Sequence, residues 1–184
     1  MDVLDRDLVR RLHRLFRLYE RAGDRFAKGE IPPPEMAGIT VVLRQLSFDF
    51  WRSFFGESLD KPAHQRYVLT WCDRNIEVFR RLNVLGEAET TSIRGWIARA
   101  LAAIEGDDPH YRFAADGGAG AAGDALRRLY LVQNLNIRLE TCARQGSLSR
   151  QVQEHVRRDL TRRARALFES ALGDETEDPV TLGT

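Results

Sequence analysis

Apolar residues recur at steps of three and four along nearly the whole chain. No segment of four to eight residues alternates like a strand between turn signals. That period leaves little besides helix, because a strand would need a repeat of two. Leu4, Leu8, Leu12, Leu15, Tyr19 and Phe26 mark a first helix, with Asp2 as N-cap and Gly29 and three prolines as its stop. A second helix is expected from Pro34 to Phe55, ended by Gly56. A third follows Asp60, expected as its cap, and runs through Tyr67, Trp71, Ile76 and Phe79 to about Val84. A fourth carries Ile93, Trp96, Ile97, Leu101 and Ile104, before Gly106.

The stretch from Asp107 to Gly123 is rich in Gly and Ala and contains a proline, so it reads as a loop. A fifth helix resumes at about Asp124 with Leu126, Leu129, Tyr130, Leu135 and Leu139, and stops at Gly146. A sixth starts at Ser147 or Ser149 and places Val152, Val156, Leu160, Leu167 and Ala171 on one stripe. ITVVL, from Ile39 to Leu43, is β-branched but lies inside a longer helical pattern. The expected fold is all-α: a single up-and-down bundle of about six helices, with a Gly-rich loop between helices four and five. Residues 1–172 form the bundle domain, and 173–184 form an acidic disordered tail.

A chain of 184 residues with 43% hydrophobic side chains can bury its own core without disulfides or a structural metal. Cys72 and Cys142 lie 70 positions apart with no CxxC or Cys/His spacing, and read as buried free thiols. No run approaches ~18 apolar residues, so no membrane span is expected. The charged N-terminus lacks a signal-peptide core, which points to the cytoplasm.

Net charge is only +1, so any electrostatic function must come from the placement of charges. All 28 basic residues except Lys28 and Lys61 are arginine. That skew fits a GC-rich, bacterial-type coding bias. It also supplies the planar fork that grips phosphate and carboxylate. On a wheel at ~100° per residue, Arg6, Arg10, Arg14, Arg17, Arg21 and Arg25 fall within an arc of about 100°, opposite the apolar stripe of helix one. The arc runs about 28 Å along the axis at ~1.5 Å per residue. Arg158, Arg162 and Arg165 repeat the theme on helix six. Like charges at such spacing repel by about 0.2–0.5 kcal/mol per pair, so the stripe invites a polyanion: nucleic acid or an acidic protein surface.

Helix two is apolar over roughly 200° of its circumference, wider than the stripe of an ordinary surface helix. Its aromatic run, with Phe48, Trp51, Phe54 and Phe55, reads either as core or as an interface that pairs two copies into a homodimer.

Other motifs carry less. Gly118, Gly120 and Gly123 spell G-x-G-x-x-G, but no strand precedes them, so a linker of small residues is the reading, with an anion site at the following helix start as the alternative. Asp107, Asp108 and His110, or Asp60 and His64, give no metal-ligand spacing, and no cofactor is expected. Arg150 and His155 stand at the start of helix six with four residues between them, and Arg6, Asp7 and His13 are similarly arranged in helix one. This pattern resembles the Arg-x4-His site of HEPN domains, small helical bundles. The resemblance implies a metal-independent ribonuclease in which Arg150 holds phosphate and His155 moves the proton of the ribose 2′-hydroxyl. The leading expectation is a non-catalytic binding or scaffold module that uses the arginine face. The ribonuclease is the alternative.

Overall fold

The computed structural model describes residues 2–106, 108, 110, 113 and 120–173. Among these residues the chain is an all-α bundle of six helices, with no strand. They are α1 (Asp2–Ala27), α2 (Pro33–Phe55), α3 (Pro62–Arg81), α4 (Glu87–Ala102), α5 (Ala121–Arg144) and α6 (Arg150–Leu172). Among the described residues no helix is long and apolar enough to cross a membrane. The segment expected as a Gly-rich loop lies largely outside the described residues, and so does the acidic tail beyond Gly173.

The helix ends follow local chemistry. Gly29 takes φ +76°, a conformation costly for any residue with a Cβ, and Glu30 N–H reaches back to the Arg25 carbonyl to close α1. Gly56 does the same for α2 at φ +55°. Ser149 Oγ accepts the Val152 N–H at 3.3 Å and caps α6.

Three boundaries differ from the sequence reading. Asp2 is the first helical residue rather than the cap before it. Asp60 closes a short 3-10 turn, Gly56–Asp60, and α3 starts two residues later at Pro62, where the missing N–H of proline costs nothing. α5 begins at Ala121, so Gly123 sits inside its first turn. Two alanines, the strongest helix formers, extend the helix past a glycine that composition alone assigns to a loop.

The residues pack as two compact units. One contains α1, α2, the first turns of α5 and the last turn of α6. Its core includes Val9, Leu12, Ile31, Trp51, Leu126 and Phe168. Phe168 lies 4.9 Å from the His13 ring and 5.2 Å from the Phe16 ring, centroid to centroid. Arg6 Nη2 donates to the Leu172 carbonyl at 3.4 Å.

The other unit contains α3, α4 and the remainder of α5 and α6. Val68, Cys72, Ile76, Phe79, Ile93, Ile97, Leu135 and Val156 are almost wholly shielded from solvent there. Both cysteines are buried free thiols, and burial pushes the Cys72 thiol up to about 11, so it stays protonated.

Gly23 lies in the interior of α1 with nothing within 4 Å of where a Cβ would stand. Gly23→Ala removes only unfolded-chain entropy and backbone exposure, so it should stabilise the protein by about 1 kcal/mol. For a chain of this size that is a rise in Tm of about 2–4 °C by calorimetry.

Candidate polyanion-binding face

α1 keeps one side against its own unit and turns the other to solvent, as its apolar period dictates. Arg6, Arg14, Arg17, Arg21 and Arg25 are exposed, and Arg10 is half-buried. Three carboxylates of α1 and the turn just after it meet this stripe. Asp7 lies 3.9 Å from Arg10, Glu20 lies 3.5 Å from Arg17, and Glu30 lies 3.0 Å from Arg25. The Asp7–Arg10 and Glu30–Arg25 pairs are open to water, where such contacts are worth about 0–1 kcal/mol and yield readily to a competing anion, whereas the Glu20 side chain is largely shielded beside Arg17. Arg14 and Arg21 meet no acceptor among the described residues. They are seven residues apart, two turns of helix, so they stand one above the other about 10 Å apart along the axis. Arg11 beside them, on the margin of the arc, is also exposed and meets no acceptor among the described residues.

The arginines of α6 are differently placed. Glu154 accepts from Arg157 at 2.9 Å and lies 3.5 Å from Arg158. Asp159 is held by Arg162 and by Arg163, the latter at 2.7 Å. These guanidiniums hold both carboxyls below the usual carboxylate range. Arg165 is exposed but also has an interaction partner. The α6 stripe therefore carries internal counter-charges at i+3 and i+4, which the sequence contains but a count of arginines passes over.

Arg150 and His155 are both exposed on α6. Five residues along a helix turn about 140°, so the two side chains leave the axis in different directions. In α1, Arg6 is engaged with the Leu172 carbonyl, and the His13 ring packs on Phe168. Burial first, and the Arg17 charge second, lower the pKa of His13.

The aromatic run of α2 divides. Trp51 is 3% exposed and meets Phe50 edge-on at 4.8 Å, whereas Phe48 is 47% exposed with Arg52 5.4 Å above its ring. Phe54 and Phe55 are half-buried and lie edge to face at 4.9 Å. Trp51 therefore serves the core of its unit, and the exposed apolar surface begins elsewhere on the helix, at Val41 and Val42.

Of the remaining motifs, Gly118 and Asp107 lie outside the described residues. Asp108 accepts the His110 N–H at 3.0 Å in a local turn. Among the described residues no three His, Cys, Asp or Glu side chains gather to hold a metal ion.

His64 has a role the sequence did not disclose. It is 1% exposed, shares a 3.0 Å hydrogen bond with the Tyr130 hydroxyl, and lies 5.2 Å from the Phe113 ring. Burial pushes its pKa down to about 4, so it is neutral at pH 7. A second feature missed by motif reading is an open cleft of about 580 Å³ lined by Glu77, Arg80, Arg81, Glu87, Thr90 and Arg94, among others. Glu77 accepts from Arg80 at 2.6 Å and from Arg94 at 3.2 Å, and Arg94 also binds Asp73. The charges of this cleft satisfy one another, so it offers no surplus field to a ligand.

No family model, curated protein or solved structure matches this chain.

Proposed function

We propose that this chain is a non-catalytic binding module whose α1 arginine face holds the phosphate backbone of a nucleic acid. One observation carries the reading: Arg14 and Arg21 stand exposed, stacked along one helix face, without a carboxylate among the described residues. Arg25 stands beyond them on the same face, held by a solvent-exposed pair with Glu30 that a phosphate can displace. A straight row of forks on a helix reads backbone charge and spacing rather than base edges, so binding should be independent of sequence.

The test is fluorescence anisotropy of labelled single-stranded RNA and duplex DNA at ~50 and ~200 mM salt. With three phosphates neutralised on duplex DNA, the affinity should fall about 40-fold across that range. Absence of binding to either nucleic acid at ~50 mM salt would refute the reading. Retention on polyglutamate under those same conditions would then reassign the face to an acidic protein partner.

A further inference from the structure

The last turn of α6 runs along the side of α1. Phe168 packs against His13 and Phe16, and the Leu172 carbonyl, one turn later, accepts from Arg6 at 3.4 Å. α6 therefore ends beside the first arginine of the α1 face. Gly173 follows at φ +61°, the left-handed conformation that stops a helix and turns the chain off its axis. Asp174, Glu175, Glu177 and Asp178 come next, and no basic side chain occurs from Gly173 onward.

Distance sets what those carboxylates can reach. Arg14 lies two turns beyond Arg6, about 12 Å along the axis at ~1.5 Å per residue. The chain from Leu172 to Asp178 spans up to about 20 Å when extended. Arg14 is thus within reach of Glu177 and Asp178, whereas Arg25, about 28 Å from Arg6, is not. Arg14 is exposed and meets no acceptor among the described residues. The acidic tail is tethered directly beside this face, so its local concentration there is on the order of millimolar, and exposed ion pairs suffice to hold it.

We infer that residues 174–178 dock on the N-terminal half of the α1 arginine face, with Glu177 and Asp178 at Arg14, and compete there with an incoming phosphate strand. The contact needs only this chain, while its effect on binding rests on the nucleic-acid reading above. Salt screens the tail contact as it screens the phosphate contacts, so the tail opposes binding most at low salt.

Two measurements test this, the first without nucleic acid. Cys72 and Cys142 are buried, so a nitroxide on a Thr181→Cys chain labels only the tail. The same labelled chain with Asp174→Asn, Glu175→Gln, Glu177→Gln and Asp178→Asn is the reference. At ~50 mM salt the nitroxide should broaden the amide NMR signals of residues 10–17 about threefold more in the acidic chain than in the reference, and the excess should vanish at ~500 mM. Equal broadening in the two chains at ~50 mM salt overturns the docking, whether or not the protein binds nucleic acid. In anisotropy titrations the unlabelled neutral-tail variant should bind RNA about fivefold more tightly than the native chain at ~50 mM salt, and within about twofold of it at ~200 mM. Neutralising Glu35, Asp49, Glu57 and Glu105 instead, all exposed on the bundle, makes the same change in net charge and should alter affinity less than about twofold. An equal gain in both variants overturns competition by the tail. Docking in a chain that binds no nucleic acid would support the contact and refute its regulatory role.

Discussion

Reversing Arg14 and Arg21 together to glutamate should weaken nucleic-acid binding by on the order of 100-fold and lower the salt slope by about two. Both side chains are exposed and make no contact that folding needs, so helicity and Tm should be unchanged. Each loss has two parts: one phosphate contact disappears, and a negative charge is placed in the path of the strand. The matched control is Arg158→Glu with Arg162→Glu. Those arginines each have a carboxylate neighbour, Glu154 or Asp159, so the local field at that stripe is partly neutralised, unlike that at Arg14 and Arg21. Anisotropy titrations of the two double variants decide the matter. If the α6 pair proves as damaging as the α1 pair, binding follows overall charge and the α1 face has no special role.

The second large effect concerns acid stability. His64 is neutral in the folded protein because its ring is buried, with its pKa down to about 4 against 6.5 in the unfolded chain. Below pH 6.5 the unfolded state binds a proton that the folded state refuses. The stability contributed by the neutral ring is thus complete above pH 6.5 and is lost as pH falls from 6.5 towards 4. Full conversion of that difference is about 3 kcal/mol. His13, lowered in the same direction, adds to the loss. The carboxyls of Glu154 and Asp159, held low by their arginines, also weaken folding as they protonate. The native chain therefore needs a reference to isolate the ring. Urea unfolding at pH 7, 5 and 4 should show a clearly smaller decline for His64→Gln, which keeps a polar partner for Tyr130 but cannot titrate. Equal declines in the two proteins would show that the buried ring does not govern acid stability.

His64 also marks the limit of reading one dimension. Asp60 and His64 sit four apart without metal-ligand spacing, and the structure gives His64 to Tyr130, 66 residues away, and Asp60 to a 3-10 turn. Periodicity cannot report a partner so distant in sequence. Trp51 makes the same point from the other side. Its aromatic neighbours form one run in sequence, but a helix turns ~100° per residue, so consecutive aromatics must face different ways. Trp51 turns inward and Phe48 outward.

The order of residues alone dictates the helices. Their apolar period, the stops at Gly29, Gly56 and Gly146 and the serine before α6 are local facts, set by backbone sterics and by hydrogen bonds within a few residues. It also determined the arginine arc of α1, because side chains three and four apart on a helix share a face whatever surrounds it. Tertiary structure alone decided which of those charges are free. Arg6 reaches the Leu172 carbonyl, 166 residues on, while Arg14 and Arg21 reach no acceptor among the described residues. It alone decided, too, how much of the broad apolar arc of α2 is covered: Phe50 and Trp51 are buried while Val41 and Val42 stay exposed, because within so wide an arc only packing selects a side.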